Sequence, residues 1–302
     1  MKNNQNIIKN NIWVVTVNWN RAYLTKKCIT SLREKNDLIF KVVIVDNGSD
    51  KESIDYIRNI PSVVILENEN NLGFSRGFNK GIKYALSQGA DYILIINNDT
   101  ESDYGMFDVL YSQSLLINSR LSAPAIFYMN YPNQIWSLGG DFCPLFLAPI
   151  NAHNRNQTLP NKPIQREFLT GCALLIHHDL FEKIGFFDEN LFLYYEDLDF
   201  SLRAKKANQI SWLIPQAKLF HHVEGSIPKP KSDDHYYWMA YSSCYYFLKH
   251  IRPWQCFFVI PWRVAHIIKQ FVFFMFSGKI RAVNAYFQGL KKFLFENVIK
   301  NE

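Results

Sequence analysis

Short apolar runs alternate with longer stretches of helical periodicity over the first hundred residues of the chain. A continuous apolar run predicts a buried strand, and apolar residues that recur every three or four positions predict a helix. The strands predicted in this way span residues 12–17, 41–45, 63–67 and 92–96. The helices predicted between them span residues 23–34, 53–59 and 74–88. Strands that alternate with helices indicate βαβ units, and therefore an α/β fold with a mostly parallel sheet flanked by helices.

The pattern is weaker in the middle of the chain and becomes regular again after residue 168. Between residues 120 and 168, clusters of Pro, Asn and Gly predict irregular connections with short strands, such as residues 134–138. The later segments predict helices at residues 179–184 and 196–206, and strands at residues 210–214 and 217–220. His177 and His178 precede the first of these helices, and we assign them no function.

Polar side chains follow three of the predicted strands at the point where each strand ends. Asn18, Asp46 and the segment 97–99 hold these positions. Ligands of parallel sheets gather at the carboxyl ends of the strands, so we expect these side chains to lie together in a binding site. Asn and Asp also end strands simply by forming turns, and for any one of these residues a turn is an equal alternative.

The charge of the chain is unevenly distributed. The chain has 302 residues, 48% of them hydrophobic, and a net charge of +6, so it can bury a sizeable core. Residues 1–227 hold 22 Lys and Arg against 23 Asp and Glu, whereas residues 228–302 hold 11 against 4. Because the body of the protein is neutral and only the C-terminal region is basic, we expect no nucleic-acid partner.

Cysteine usage and hydropathy predict a cytoplasmic protein. The five cysteines are scattered and form no C-x-x-C pair, which argues against a disulfide framework or a zinc site and for a reducing compartment. The first eleven residues lack the apolar run of a signal peptide. Since no run of about 18 uncharged apolar residues occurs, we also expect no membrane-spanning helix.

The C-terminal region, residues 228–302, holds 19 of the 47 aromatic residues of the chain. One of its uncharged runs covers residues 253–262, and basic residues such as Arg252, Arg263 and Lys269 interrupt the sequence around it. This mixture of aromatic and basic residues predicts helices that lie on an anionic membrane surface. A helical homodimer interface, or a cap packed on the body of the protein, is the alternative.

Six motifs and one histidine occur in an order that resembles a known enzyme family. They lie at residues 16–20, 45–49, 70–74, 97–99, 170–173 and 196–200, followed by His221. In this order they resemble the family 2 glycosyltransferases with the GT-A fold, nearest the bacterial rhamnosyltransferase-like branch. The resemblance covers about residues 12–226. It implies a glycosyltransferase domain over residues 1–227, with a donor-binding half at about 12–100 and an acceptor and catalytic half at about 101–227.

The resemblance implies a nucleoside-diphosphate sugar of the UDP or dTDP type as the donor. The residues that it assigns to donor binding are Thr16, Asn18, Asp46, Asn71, Arg76 and Asn98. Asp46 is suited to accept a hydrogen bond from the base or ribose, and Arg76 lies near a helix N-terminus, which favours anionic oxygens. Gly73, Gly77 and Gly81 are spaced by four and lack the G-x-G pattern, which disfavours a nicotinamide dehydrogenase.

Asn97, Asn98 and Asp99 occupy the position of the family's D-x-D motif, which implies a Mg²⁺ or Mn²⁺ cofactor. Only Asp99 is acidic, a departure that a cation held mainly by diphosphate oxygens and water tolerates. His221 matches a metal-ligand position of the family. The doublet leaves His222 as an alternative, and we favour His221. A turn at the end of a strand is the structural alternative for the motif.

Glu196 and Asp197 open a predicted helix and carry the chemistry in this interpretation. Asp197 matches the family's general base, which takes the proton of the acceptor hydroxyl as that hydroxyl attacks the anomeric carbon. Glu196 and Gly171 are assigned to acceptor binding, and Glu196 can also raise the pKa of Asp197 by like-charge repulsion. Acidic residues in the first turn also stabilise a helix, which suffices as an explanation for Asp199.

The expected function is that of a metal-dependent inverting glycosyltransferase. It would move a sugar such as rhamnose onto a polyprenyl-linked acceptor or a growing surface polysaccharide, at the inner face of the cell membrane. One alternative is a catalytically degenerate protein of the same fold that binds sugar nucleotides or acts as a scaffold. A sugar-1-phosphate nucleotidyltransferase is less favoured, because no glycine-rich basic loop follows the first strand.

Overall fold

The computed structural model describes residues 10–150, 158–223 and 232–299. The predicted boundary at residues 227 and 228 and most of the N-terminal segment considered for a signal peptide lie outside these ranges. In the first hundred residues, each predicted strand and helix is confirmed to within two residues at either end. These elements are β1 (Ile12–Asn18), α1 (Ala22–Glu34), β2 (Lys41–Asp46), α2 (Lys51–Arg58), β3 (Val64–Glu67), α3 (Gly73–Ser87) and β4 (Tyr92–Ile96).

The following elements complete the described part of the chain. Between β4 and the C-terminal region lie β5 (Thr100–Ser102), α4 (Met106–Leu116), β6 (Leu121–Tyr128), β7 (Tyr131–Ser137), β8 (Asp141–Phe142), β9 (Pro149–Ile150), β10 (Ile164–Arg166), β11 (Ala173–His177), α5 (His178–Ile184), α6 (Glu196–Lys206) and β12 (Ser211–His221). The C-terminal region forms α7 (Asp233–His250), α8 (Cys256–Phe276) and α9 (Ile280–Leu294).

The strands form a mixed sheet with the order β10-β12-β6-β11-β4-β1-β2-β3, while β5 pairs with β12 and β7 with β6. The strands of the first half, β4, β1, β2 and β3, are parallel, as the βαβ pattern predicts. Beyond β4 the sheet is mixed, because β11 runs antiparallel to both β4 and β6. The α/β prediction is confirmed, with its parallel part confined to one half of the sheet.

Two hydrophobic cores lie on the two faces of the sheet. Val14 on β1 packs on one face with residues of α1 and α2, and its neighbour Val15 packs on the other face with residues of α3. Neighbouring residues of a strand point to opposite faces, so a strand buried on both faces reads as a continuous apolar run. Because both faces of the sheet are covered, the polar residues that follow the strands lie at an edge of the sheet.

Two elements of the second half differ from the sequence prediction. Residues 121–128, expected in an irregular segment, form the buried strand β6. Pro124 in β6 lies at a register shift opposite residues 214–218 of β12, where a missing backbone N–H is tolerated. The same irregularity explains why β12, a single strand of eleven residues, reads as two strands in the sequence.

The segment Pro253–Phe276, which includes α8, is 24 residues long and contains an 18-residue stretch with a mean hydropathy of 1.4. By length and composition alone it is apolar enough to cross a membrane. The expectation that the chain lacks such a segment therefore needs correction. It considered uncharged runs only, and Arg263 and Lys269 interrupt this one.

Candidate active site

The carboxyl ends of β1, β2 and β4 meet at one edge of the sheet. Parallel pairing places Asn18 beside Asp46, and Val15 of β1 beside Ile95 of β4. The segment 97–99 follows β4 at this same edge. The sequence prediction that the polar strand ends lie together is thus confirmed for Asn18 and Asp46. Asn98 of the segment 97–99 is linked to Asn18 by the Thr25 side chain of α1.

A buried hydrogen-bond network, the donor-side network, consists of Asn18, Asp46, Thr25, Asn98 and Ser49. The Asn18 side-chain amide donates to Asp46 Oδ1 at 2.8 Å, and the Thr25 hydroxyl donates to Asn18 Oδ1 at 2.8 Å. Asn98 Nδ2 lies 3.0 Å from Thr25 Oγ1 and donates to it. Ser49 donates to Asp46 through both its hydroxyl and its backbone N–H. Fully satisfied buried networks of this kind hold their members in one arrangement.

The other three residues assigned to the donor lie around this network. Thr16 is completely buried, and its hydroxyl has no hydrogen-bond partner among the described residues. Asn71 accepts a hydrogen bond from the Gly73 backbone N–H at 2.9 Å and so shapes the start of α3. Arg76 is half exposed, and its Nε atom lies 3.7 Å from the Glu189 carboxylate.

Asp99 and His221 form a second pair, the metal-side pair. Asp99 Oδ1 lies 3.1 Å from His221 Nε2, and the backbone carbonyl of Asp99 accepts from the His222 N–H at 2.8 Å. His222 points elsewhere, with its Nε2 atom 3.1 Å from Glu101 Oε1. Because β5 pairs with β12 in this register, His221 rather than His222 faces Asp99.

The environment of His221 favours a positive charge. Burial lowers its affinity for a proton, but attraction to Cys172 and to the Asp99 carboxylate outweighs burial and raises the pKa of His221 to about 10. Burial also raises the pKa of the Cys172 thiol. The His221 Nε2 atom and an Asp99 carboxylate oxygen lie 3.1 Å apart and are ligand atoms of a kind that can hold a divalent cation, which would bind the ring in place of its proton.

Gly171, Glu196 and Asp197 meet as the acceptor-side cluster. The Gly171 backbone N–H donates to Asp197 Oδ2 at 3.0 Å, and the Leu198 N–H donates to Asp197 Oδ1 at 2.8 Å. A Cβ atom on Gly171 would lie only 3.1 Å from the Phe74 ring and 3.2 Å from Asp197 Cβ, so glycine permits this close approach. The structure therefore brings the three residues together as the motifs predict.

Glu196 is buried, and its Oε2 atom has no hydrogen-bond partner among the described residues. Burial, and next the charge of Asp197, raise the pKa of Glu196 well above its usual range. A protonated Glu196 can donate a hydrogen bond, which suits it to binding a hydroxyl.

Two residues directly before this cluster adopt a left-handed backbone conformation. Tyr194 and Tyr195 both have φ of 68°. Such a conformation costs about 1–3 kcal/mol for a bulky residue and persists where surrounding contacts impose it. Here the Tyr194 hydroxyl lies 2.7 Å from His235 Nδ1 of α7, and the Tyr195 ring packs on Tyr246 of the same helix.

Asp199 belongs to a buried ion network rather than to a helix cap. It is completely buried, and Arg203, Lys249 and His250 contact its carboxylate at 2.8, 2.6 and 2.8 Å. Burial alone would raise its pKa, but the hydrogen bond from His250 and the two cations hold the pKa of Asp199 well below its usual range. Asp199 thus has a structural role, but it joins α6 to α7 instead of only stabilising the first turn of α6.

Sequence reasoning missed Thr25 and Cys172 as parts of the site. Thr25 lies on α1 with no motif around it, and only the fold brings its hydroxyl between Asn18 and Asn98. Cys172 follows Gly171, and its charge interactions reach both Asp99 and Asp197. It therefore lies between the metal-side pair and the acceptor-side cluster.

A separate group of possible metal ligands lies at the opposite end of β11. His177, His178 and Asp179 hold ligand atoms within 4.8 Å of one another. As the sequence predicts, they lie at the entry to α5, a helix of seven residues. An open cavity of about 470 Å³ that includes Asp91 and Glu182 in its lining adjoins His178. Neither the group nor the cavity adjoins the residues that the motifs predict.

A sequence model described as "Glycosyl transferase family 2" matches residues 13–185 of the chain, which is more than half of it. The chain belongs to glycosyl transferase family 2. The matched region contains the donor-side network, Asp99 and Gly171, but ends before Glu196, Asp197 and His221. Family membership therefore supports transferase chemistry at the sheet edge described above.

Curated relatives of this family 2 chain include enzymes that transfer rhamnose or another hexose. The low-salt glycan biosynthesis hexosyltransferase Agl10 of Haloferax volcanii is 26% identical over 62% of this chain and 60% of its own length. The N-acetylglucosaminyl-diphospho-decaprenol L-rhamnosyltransferase of Mycobacterium tuberculosis is 26% identical over 69% of this chain and 75% of its own length. The dTDP-rhamnosyl transferase RfbF of Shigella flexneri is 23% identical over 72% and 70%. The chain thus spans about three fifths of Agl10 and about three quarters of the mycobacterial enzyme.

A solved structure confirms the predicted GT-A fold. The crystal structure of GalNAc-T7 with UDP, GalNAc and Mn²⁺ matches with a TM-score of 0.60 at 16% identity. The match covers 79% of this chain and 50% of that one. At this identity the likeness concerns the fold, and the rhamnosyltransferase-like assignment rests on the curated relatives.

Proposed function

We propose that this protein is an inverting glycosyltransferase that moves a sugar from a nucleoside diphosphate to a hydroxyl of a lipid-linked or growing surface glycan. The observation that carries the proposal is the acceptor-side cluster, in which a buried Glu196 with an unpartnered oxygen adjoins Asp197. A buried carboxyl whose raised pKa favours its protonated form suits the binding of a hydroxyl, and Asp197 beside it is placed to take the proton of that hydroxyl.

The proposed reaction is a single displacement. The acceptor oxygen forms a bond to the anomeric carbon while the bond from that carbon to the diphosphate oxygen breaks. Asp197 takes the acceptor proton, and the nucleoside diphosphate leaves with the electron pair of the broken bond. The Gly171 N–H holds Asp197 Oδ2, which leaves the carboxylate oriented for this transfer.

Asp99 and His221 are proposed to hold Mg²⁺ or Mn²⁺, which would neutralise charge on the diphosphate of the donor. The donor-side network would contact the nucleoside, with Asn18, Asp46 and Asn98 as its polar groups and with Thr16, Asn71 and Arg76 around them. A separation of 3.1 Å between the carboxylate and the imidazole supports the first assignment. The intact metal-side pair disfavours a degenerate, non-catalytic member of the family.

We propose rhamnose as the sugar, dTDP or UDP as the nucleotide and a polyprenyl-diphosphate-linked glycan as the acceptor. The support is sequence similarity to the mycobacterial rhamnosyltransferase and to RfbF, whose names state a decaprenol-linked acceptor and a dTDP-rhamnosyl donor. An acceptor of this kind requires the protein to work at the inner, cytoplasmic face of the cell membrane.

The test is transfer in vitro from a panel of sugar nucleotides to a short-chain polyprenyl-diphosphate N-acetylglucosamine. We expect a product from dTDP-rhamnose whose anomeric configuration, determined by NMR, is opposite to that of the donor. Retention of configuration would exclude the single displacement. Absence of transfer and of donor binding across the whole panel would exclude the proposed function itself.

A further inference from the structure

The helix α8 carries a stripe of exposed apolar side chains along its whole length. This apolar stripe consists of Phe257, Ile260, Val264, Ile268, Val272 and Met275. Their spacing of three or four residues places them on one face of the helix, over about 27 Å at 1.5 Å per residue. Phe257 is 82% exposed and Met275 is 66% exposed. A contiguous apolar surface of this length marks an interaction site.

The opposite face of α8 is attached to the rest of the protein. Val259, Arg263 and Phe274 are buried on that side. The Arg263 guanidinium donates to the Ser243 hydroxyl of α7 at 2.7 Å and stacks over the Phe247 ring at 4.8 Å. Arg263 therefore does not lie on the exposed basic surface, which corrects its place among the predicted membrane contacts.

The attachment continues from α7 into the catalytic domain. Lys249 and His250 of α7 bind the buried carboxylate of Asp199 on α6. A Cβ atom on Gly289 of α9 would overlap the Tyr237 carbonyl of α7, so these two helices also lie in close contact. The three C-terminal helices thus present the apolar stripe from a support that is joined to α6.

The charge around the stripe has a single sign. Residues 235–295 contain no Asp or Glu and eight Lys or Arg. Lys269, Lys279 and Arg281 are exposed near the stripe or beyond its C-terminal end, and Trp254 is half exposed at its N-terminal end. Basic residues attract anionic headgroups, and Trp prefers the depth of those headgroups. A second protein copy would bring equal positive charge against this surface, so charge favours a membrane.

From these observations we infer that α8 lies flat in the interface of an anionic membrane, with the apolar stripe in the lipid and the face of Arg263 on the protein. The biological purpose of this membrane contact rests on the proposed function, because the contact would bring the catalytic domain to a lipid-linked acceptor. A helix that crossed the bilayer would draw Arg263 into hydrocarbon and separate it from Ser243. We therefore assign the apolar stripe to the lipid and the Arg263 face to the protein, although the segment has the length and composition of a spanning helix.

The first experiment measures flotation of the full chain with vesicles of phosphatidylcholine alone or mixed with phosphatidylglycerol. We expect binding to the anionic vesicles that weakens as salt rises. The variant Ile260→Gln/Val264→Gln/Ile268→Gln should bind about tenfold less or weaker still, because three apolar side chains leave the lipid. The control Ile39→Gln/Leu116→Gln removes even more exposed apolar side chains from the catalytic domain and should bind like the wild type.

A second variant tests the charge contribution. Replacing Lys269, Lys279 and Arg281 with Gln should weaken binding to anionic vesicles about fivefold for each charge removed and should reduce the salt dependence. Equal binding of this variant and the wild type at low salt would overturn the assignment of an anionic surface.

A third experiment distinguishes a flat helix from a spanning one. A Cys256→Ser/Ser277→Cys variant bound to the outside of vesicles is treated with an impermeant maleimide, and the label at residue 277 is read by mass spectrometry. A flat helix leaves residue 277 reactive without detergent. Protection until detergent is added would overturn the flat orientation.

Donor binding and transfer to a water-soluble acceptor are measured on the same variants, so that the two proposals fail separately. Vesicle binding without any transfer activity would remove the proposed function and keep this inference. A wild-type protein that ignores anionic vesicles, and forms a dimer that the Gln variant of the stripe abolishes, would overturn the inference in favour of a second copy of the chain.

Discussion

Asp197 differs from the other acidic residues of α6 in what surrounds its carboxylate. Two backbone N–H groups, those of Gly171 and Leu198, donate to its two oxygens, whereas side-chain cations surround Asp199. Backbone donors to both oxygens hold a carboxylate in one orientation. Asp197 is therefore the carboxylate of this helix best suited to accept a proton.

We predict that Asp197→Asn lowers turnover by about 10²–10⁴-fold and leaves donor binding nearly unchanged, because an amide of the same shape cannot act as a base. Turnover is measured at saturating donor, and donor affinity is measured by calorimetry. Asp179→Asn, at the opposite end of β11, is the matched control and should retain full turnover. Near-normal turnover of Asp197→Asn would remove Asp197 from its proposed role.

The two adjacent histidines provide a matched pair for the metal assignment. His221→Ala should weaken the Mn²⁺-dependent part of donor binding about tenfold or more, because its Nε2 atom faces Asp99. His222→Ala should change that part much less, because His222 faces Glu101. Calorimetric titration of the donor at several Mn²⁺ concentrations measures both. Equal losses in the two variants, or wild-type activity that survives a chelator, would contradict the assignment.

For single residues, the sequence motifs predict which side chains lie in the site but not which other side chains they contact. Asp46 and Asn18 are predictable because they end parallel neighbouring strands. Thr25 is not, because its role depends on how closely α1 approaches the sheet edge. Arg76 matches a motif position, yet the fold directs it toward Glu189, a residue more than a hundred positions later.

Between elements, the principal connection is the ion network that joins α6 to α7. Burial lowers the pKa of His250, so this side chain is neutral near pH 7. The neutral ring donates from Nε2 to Asp199 and accepts from Lys206 at Nδ1. Each member of the network thus has a partner, and the loss of one leaves buried charge behind.

We predict that Asp199→Asn destabilises the protein by about 3–5 kcal/mol, because Arg203 and Lys249 lose the carboxylate that compensates their charge. Chemical denaturation monitored by fluorescence measures this loss. Asp55→Asn, which breaks an exposed ion pair with Arg58, is the control and should change the unfolding free energy far less. Comparable losses would show that the network contributes little.

The same residue predicts a dependence of stability on pH. The pKa of Asp199 is lower in the folded state than in the unfolded chain, so its contribution is present above the unfolded pKa of about 4. That contribution disappears as the pH falls further. The unfolding free energy of the wild type should therefore decrease more steeply than that of Asp199→Asn between about pH 5 and pH 3. Parallel curves for the two proteins would contradict the lowered pKa.

The elements themselves are largely predictable where periodicity is clear. The first four strands and three helices follow from local apolar patterns, because each strand is buried by the helices next to it in sequence. The strand β6 is not, because Pro124 and small residues in it resemble a loop until β12 is paired beside it. Its strand character comes from a partner strand 90 to 93 positions later.

For the whole molecule, donor binding should couple to global stability. A donor that binds only the folded state adds about 2.7 kcal/mol at one hundred times its dissociation constant. We predict a rise in the unfolding temperature with dTDP-rhamnose and Mn²⁺ that a chelator largely removes. Thermal denaturation with other sugar nucleotides provides the comparison. A rise of equal size with and without the metal would contradict the role of Asp99 and His221.

The basic and aromatic character of the C-terminal region is visible in the sequence, but its attachment is not. Composition alone makes Arg252, Arg263 and Lys269 equivalent, and only the packing of α8 on α7 buries Arg263 and exposes Lys269. Which side of a helix faces solvent depends on its neighbours. Sequence reasoning could therefore predict the type of surface and not the face that forms it.

The left-handed backbone of Tyr194 and Tyr195 has a consequence for how the protein matures during synthesis. Contacts with α7, through His235 and Tyr246, accompany this unfavourable conformation. Because domains fold as the chain emerges from the ribosome, the sheet can assemble while residues 233–250 are still in the exit tunnel. Glu196 and Asp197 would then lack the contacts that fix the segment before them. A nascent chain would acquire its acceptor site only once α7 has docked, so translation of the C-terminal region sets the moment at which the enzyme becomes active.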